Sequence, residues 1–163
     1  MKKGNPTVGV VIGAILVIML ILLAYIIYCA VYTASNGTDY AYLGDYALFI
    51  NEEDNLAPNY EKNDLIFAKR ETYYSTNQIV VYNYNSSYRL GYVVKTSTSK
   101  YYIGDAMSTS FDNLYETTYD KIVGSAQSRI SGIGGLFKIL TSTVSLIVII
   151  VVFALFIMFA KEK

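Results

Sequence analysis

The hydrophobic pattern divides the chain into three parts. From Gly4 to Thr38 no side chain is charged, and the core of that run, VGVVIGAILVIMLILLAYIIYCAVY, is long enough to cross a hydrocarbon layer roughly 30 Å thick with some tilt. This predicts a transmembrane helix over residues 8–33. A second uncharged run, ILTSTVSLIVIIVVFALFIMFA at residues 139–160, also exceeds the roughly 20 residues that a crossing needs, and Lys-Glu-Lys follows it. With the glycines of SGIGG just before it, which permit a sharp turn at the membrane surface, this predicts a second span over residues 135–160. Between the spans the pattern shortens. YAYLGDYALFI, DLIFAKR, QIVVYNY, YRLGYVVKT, KYYIG and YDKIVGSAQSRI are brief runs rich in β-branched and aromatic residues, bounded by Asn, Ser, Gly or Asp. No apolar period of 3.6 persists through this region, and no repeat of fixed length appears. The expected fold is mainly β: a small antiparallel domain over residues 34–134, between two transmembrane helices.

Composition supports the membrane reading, since 53% of the 163 residues are hydrophobic and only 16% are charged. Lys2 and Lys3 precede the first span, and Lys161 and Lys163 follow the second. The positive-inside bias therefore predicts that residues 1–7 and 161–163 are cytoplasmic and that the β domain lies outside or in a lumen. Tyr25, Tyr28 and Tyr32, at the outer end of the first span, suit the headgroup layer in that orientation; Lys138 counts against it. The first span reads as an uncleaved anchor, because its apolar run far exceeds the roughly 7 to 15 residues of a secretory signal core. Cys29 follows the bulky Tyr28, which does not suit lipoprotein processing, so it reads as an unmodified thiol, and a single cysteine cannot staple a fold. Residues 34–134 hold twelve acidic and eight basic side chains, a mildly negative balance that argues against a nucleic-acid surface. Fourteen of the seventeen tyrosines lie there, where cross-strand packing is their expected use.

Histidine is absent and the one cysteine lies in a predicted span, so the usual zinc sets and Ser-His or Cys-His pairs cannot be assembled. No metal or other cofactor is expected. Glu52, Glu53 and Asp54 are adjacent but lack the spacing of a cation-binding loop, and they read as a solvated acidic turn. Asn36-Gly37-Thr38 and Asn85-Ser86-Ser87 match the glycosylation triplet, a short pattern that matters only in a glycosylating compartment.

The polar stretch between the first two strand regions carries a further signal. NLAPNYEKNDLIFAK resembles the first two boxes of signal peptidase I, a serine peptidase family in which a Ser-Met-x-Pro-Thr segment is followed after three residues by Gly-Asp and an apolar strand. Leu56 stands for the methionine, Pro58 for the proline, Asn59 for the threonine, Asn63 for the glycine and Asp64 for the aspartate. Asparagine is the residue, after glycine, that best tolerates a left-handed backbone, so the turn at Asn63 is compatible with the change. LGYVVK at residues 90–95 stands where the family has a Lys or His followed by Arg-Val-Val. YIGDAMSTSFDN resembles its Gly-Asp-Asn box through Gly104, Asp105, Ser110 and Asp112, and KIVGSAQSRISGIGG resembles its closing strand and exit. The layout is closest to archaeal and ER-type members, and the likeness covers residues 46–138.

The resemblance implies a signal-peptide-processing fold, but the chain departs from it at the positions that matter for chemistry. In the family a serine attacks the scissile carbonyl and a lysine, or a histidine in ER-type members, takes its proton; here these positions are Asn55 and Gly91. Neither can do that work. No serine occurs from residue 36 to residue 74. Lys95 is expected on the same strand face as Gly91, but about 13 Å along the strand. Thr72 with Lys69 is a conceivable relocated pair. With no base to orient, Asp105, Ser110 and Asp112 read as structural. The leading expectation is thus a catalytically inactive homologue in the bilayer, which binds extended exported chains or partners an active signal peptidase or translocation complex. The alternatives are an active signal peptidase with relocated residues and a structural, membrane-anchored envelope protein.

Overall fold

The structure, a computed structural model, describes residues 6–106, 113–142, 144–145 and 147–152. The chain forms two compact units, one of residues 1–39 with 138–163 and one of residues 40–137.

In the first unit, helix α1 runs from Pro6 to Asn36. Within it, Gly13–Asn36 contains an 18-residue window with a mean hydropathy of 3.0 and is long and apolar enough to cross a membrane. Gly37 ends the helix: its φ of +63° lies in the left-handed region, and its N–H donates to Thr33 O at 2.9 Å. The second predicted span differs from expectation. Helix α2 covers only Gly134–Leu140, the backbone turns at residues 141–142, and helical backbone resumes at residues 144–145 and 147–152. At the break Ser145 Oγ donates to Ile139 O at 2.6 Å and Ser142 Oγ donates to Ser145 Oγ at 3.2 Å. Hydroxyls of TSTVS thus engage the groups that a continuous helix would pair internally. Residues 153–160 of the predicted span lie outside the described residues, and a second spanning helix is not shown.

The second unit is one eight-stranded antiparallel sheet in the order β1-β2-β3-β8-β4-β5-β6-β7. Its strands are β1 Tyr42–Leu43, β2 Tyr46–Ile50, β3 Leu65–Lys69, β4 Ile79–Tyr84, β5 Ser87–Thr96, β6 Tyr101–Gly104, β7 Tyr115–Thr117 and β8 Ile122–Ile130. YAYLGDYALFI, read as one strand, is a hairpin folded at Gly44, whose φ of +65° suits glycine. Asn85 and Ser86, with φ of 48° and 68°, make the two-residue turn between β4 and β5. That turn fixes the register, pairing Tyr84 with Ser87, Tyr82 with Arg89 and Val80 with Gly91.

One face of β4, β5, β6 and β7 is the aromatic half of the core. Tyr74, Val80, Tyr82, Val93, Tyr101, Ile103 and Ile122 form a buried cluster, with Tyr84 and Tyr115 packed against it. The tyrosines keep polar tips where partners exist: Tyr42 donates to Val123 O, and Tyr119 donates to Glu71 O at 2.6 Å. Asn36 sits at the exposed end of α1 and Asn85 at an exposed hairpin tip.

A single carboxylate ties together the loop after β2, the end of β8 and the turn into α2. Asp64, 1% exposed, accepts from Arg129 Nη1 at 2.7 Å, from Glu61 N–H at 2.9 Å and from Gly132 N–H at 3.1 Å. Burial alone pushes this carboxyl up, but the Glu61 N–H, the Arg129 guanidinium and the Gly132 N–H outweigh it and hold the group below its ordinary value. A carboxyl depressed in the folded state stabilises the fold at neutral pH. That contribution declines as pH falls below the ordinary 3.8 and is gone once pH passes the folded value. Asp64→Asn is expected to cost about 3 kcal/mol, because it leaves Arg129 facing an amide. Urea unfolding of the full chain in detergent at pH 7 and pH 3 checks this: the variant loses less stability between the two than the parent does.

Candidate functional site

The loop of residues 51–64 is closed at its base by backbone bonds, Asn51 N–H to Asp64 O at 2.9 Å and Asn63 N–H to Asn51 O at 2.8 Å. Inside it, Asp54 accepts Lys62 N–H at 2.7 Å on its carboxylate, and Leu56 bridges to Tyr60 with its own side chain 4% exposed. Asn63 has a φ of 69°, the left-handed conformation that its residue type allows. Glu53 pairs with Arg89 at 2.7 Å, so the acidic turn points one of its charges at β5. The Ala57–Pro58 peptide bond is cis, and Pro58 and Asn59 are exposed at the loop tip, where Asn59 Nδ2 donates to Tyr92 OH at 3.4 Å.

The loop delivers Asn55 to the place where β5 and β6 part. Their ladder begins at Tyr92 opposite Gly104, so Leu90 has no β6 residue across from it. Asn55 Nδ2 fills that place: it donates to Leu90 O at 2.9 Å and to Asp105 Oδ1 at 3.2 Å. An amide nitrogen brings two N–H groups, enough for both acceptors, whereas a serine hydroxyl brings one. Asn55 Oδ1 is buried and accepts no hydrogen bond among the described residues.

Gly91, one residue on from Leu90, is closed to any side chain. A Cβ there would lie 2.4 Å from Ile103 Cγ2, 3.1 Å from Tyr82 Cε1 and 3.3 Å from Gly104 O. Ile103 and Tyr82 occupy the volume through which a basic side chain would have to leave the strand. Lys95 does not take its place. A bulge between Val93 and Lys95 shifts the pairing, so that Val93 faces Ile103 but Lys95 faces Tyr102 on the opposite side of the sheet. Simple alternation puts Lys95 on the face of Gly91; the bulge moves it to the other, where its amine lies 5.8 Å from the Tyr102 ring centre. Lys69 lies in β3 and Thr72 in the turn after it, and no hydrogen bond joins the two among the described residues.

The structure therefore brings together Asn55, Gly91, Gly104 and Asp105, with Pro58 and Asn63 shaping the loop and Asp64 anchoring it. Ser110 and Asp112 lie outside the described residues. Beside this group is a cavity of about 280 Å³ that sequence reasoning did not find. Its lining includes Tyr82, Tyr84, Arg89, Ile103, Gly104, Asp105 and Tyr115. Three of its rings touch, with centres 4.8 Å apart for Tyr84 and Tyr115 and 5.5 Å for Tyr82 and Tyr115, and the Arg89 guanidinium lies 4.4 Å over Tyr84. Burial, and after it the Asp105 carboxylate, pushes the Tyr82 hydroxyl up to about 12, so it is neutral at physiological pH. A signal for part of this was present: the two-residue turn at Asn85-Ser86 sets Tyr82, Tyr84 and Arg89 on one face. Tyr115 had none, since β7 is only three residues long. Among the described residues no group of three His, Cys, Asp or Glu side chains is placed to hold a metal ion.

No protein-family model matches this chain, and no curated protein matches it.

The packing at Gly91 is testable by itself. Gly91→Ala is expected to destabilise by about 1–3 kcal/mol through overpacking. Ile103→Ala alone costs about 2–5 kcal/mol through the cavity it leaves, and the double variant is expected to fall short of the sum by about 1 kcal/mol or more, since it removes the clashing methyl. Denaturant midpoints of the four proteins measure this. Asn55→Ser, which leaves one of two acceptors without its donor, is expected to cost about 1 kcal/mol in the same assay.

Proposed function

We propose that this chain is a signal peptidase I-like membrane protein that lacks peptidase activity and binds extended exported chains, or partners an active peptidase in a translocation complex. The observation that carries the reading is the pair of positions at which the resemblance expects a nucleophile and a base. They lie side by side at the end of the β5–β6 ladder, and they hold an asparagine committed to two acceptors and a glycine with no room for a side chain. Attack on a peptide carbonyl needs a hydroxyl or thiol within reach of a base, and neither group stands there.

The proposed arrangement in the membrane is two spans, over residues 8–33 and 135–160, with both ends cytoplasmic and the β domain outside or luminal. The apolar α1 and the flanking lysines support it. The proposed partners are the bilayer and unfolded secretory chains; the mildly negative β domain gives nucleic acid no basic surface. Extended chains suit a sheet with short edge strands, because main-chain pairing binds any sequence and nearby pockets select among them.

The test is incubation of the purified full chain in detergent with signal-bearing precursors. The expected result is retention of precursor without processing. Because Gly91 is closed, Asn55→Ser with Gly91→Lys is expected to remain inactive and to lose stability. Processing by the parent protein that Thr72→Val or Lys95→Met abolishes, and that Asn55→Ala leaves intact, overturns the reading in favour of relocated catalytic residues.

A further inference from the structure

The cavity beside Asn55 has the size and charge to select one kind of side chain. Drug-sized ligand pockets begin at roughly 300 Å³. At about 280 Å³ this one is scaled to a single large side chain. Its lining includes the contacting rings of Tyr82, Tyr84 and Tyr115, whose π faces carry negative potential, together with polar groups of Arg89, Asp105 and Asn113.

Among the described residues, Arg89 and Asp105 line it and Glu53 pairs with Arg89. Arg89, the cation among the described lining residues, is paired with Glu53 at 2.7 Å and stacked on Tyr84 at 4.4 Å, while its buried Nε–H meets no acceptor among the described residues. Asp105 is exposed and, among the described residues, accepts from the neutral amide of Asn55 at 3.2 Å. No basic group pairs with it among the described residues, and the sequence from Met107 to Asp112 contains no Lys or Arg. With Arg89 paired to Glu53, the Asp105 carboxylate is, among the described residues, the negative charge left at the mouth of the tyrosine-lined cavity.

We propose that this cavity receives one basic side chain, lysine or arginine, of a bound polypeptide, with its cation on the tyrosine rings and its charge met by Asp105. The inference rests on the reading of the chain as a binder of extended polypeptides, and it adds a specificity that the resemblance does not supply. A cation held against aromatic faces and a carboxylate in a partly desolvated chamber gains on the order of 1–2 kcal/mol over an isosteric neutral chain, which is about tenfold in affinity.

The experiment uses the full chain in detergent micelles and short fluorescent peptides identical except for one central residue: lysine, norleucine or glutamate. Butylguanidinium serves as a separate small probe, followed by NMR shifts of the tyrosine rings. The lysine peptide is expected to bind about tenfold more tightly than the norleucine peptide. Asp105→Asn is expected to abolish that preference and Tyr115→Leu to reduce it, with near-UV circular dichroism showing that both variants remain folded. Equal binding of the lysine and norleucine peptides, or preference for glutamate through Arg89, overturns the inference while leaving the chain-binding reading in place. If no peptide binds but butylguanidinium shifts the rings in an Asp105-dependent way, the chain-binding reading falls and the cation site stands. If butylguanidinium shows no such effect, the cation site falls whatever the peptides do.

Discussion

The arrangement of the β domain depends on one buried carboxylate. A charge as enclosed as that of Asp64 is tolerable only if donors surround it, and its donors come from two stretches of chain: its own loop at Glu61, and the end of β8 with the turn after it, at Arg129 and Gly132. Satisfying the charge therefore fixes those two stretches relative to one another. The adjoining bond from Gly134 N–H to Asn63 O at 2.7 Å completes the junction, and it requires glycine, because a Cβ at residue 134 would lie 2.6 Å from that same oxygen. The loop of residues 51–64 is thereby held at its C-terminal end by a charged clamp and at both ends by its backbone bonds. Only a loop held in this way can keep Asn55 at hydrogen-bonding distance from a strand 35 residues further along the chain.

Given that placement, the residues at positions 55 and 91 suit their surroundings as they stand. The amide of Asn55 continues the hydrogen bonding of β5 past the last residue of β6 and holds the Asp105 carboxylate. The bare backbone of Gly91 lets Ile103 and Tyr82 close over the strand. A change to a serine and a lysine meets two obstacles of different kinds, a lost donor and a filled volume, and the second is the more severe because a buried branched side chain and a ring cannot both retreat without leaving a void. In the proposed reading the absence of chemistry is built into the packing of the core, beyond the two residue identities.

How much of this was legible in the sequence depends on the range of the interaction. The strand regions around β3, β4, β5, β6 and β8 showed in their β-branched and aromatic runs, and the left-handed turn at Asn63 showed in its residue type. Both are local properties. β7 did not show, because three residues, Tyr115–Thr117, are too few to carry a period, and their pairing with β6 is a tertiary contact. Lys95 lies on the face opposite to the one that alternation predicts, because alternation assumes an unbroken ladder and a bulge is decided by how two strands fit. The break at residues 141–142 is also hidden, since hydropathy averages over serines whose hydroxyls bond to backbone oxygens such as that of Ile139. At the site, the identities of Asn55 and Gly91 were readable. The two acceptors of the first and the closure over the second were not, because they belong to β5 and β6 rather than to the loop or to the glycine.

The same closure accounts for the aromatic cavity. With no side chain at Gly91, Ile103 reaches across toward β5, and Tyr115, paired with Ile103 through β7, stands close enough to Tyr84 and Tyr82 for their rings to meet. A bulkier residue at position 91 would press Ile103 away and separate those rings. Gly91 thus helps to bring the tyrosines together, and Asp105, held by Asn55, sets a charge at the opening. Asn55 and Gly91 both act on residues that line the cavity, Asp105 and Ile103, so in the proposed reading the loss of one function and the gain of another are a single change in packing.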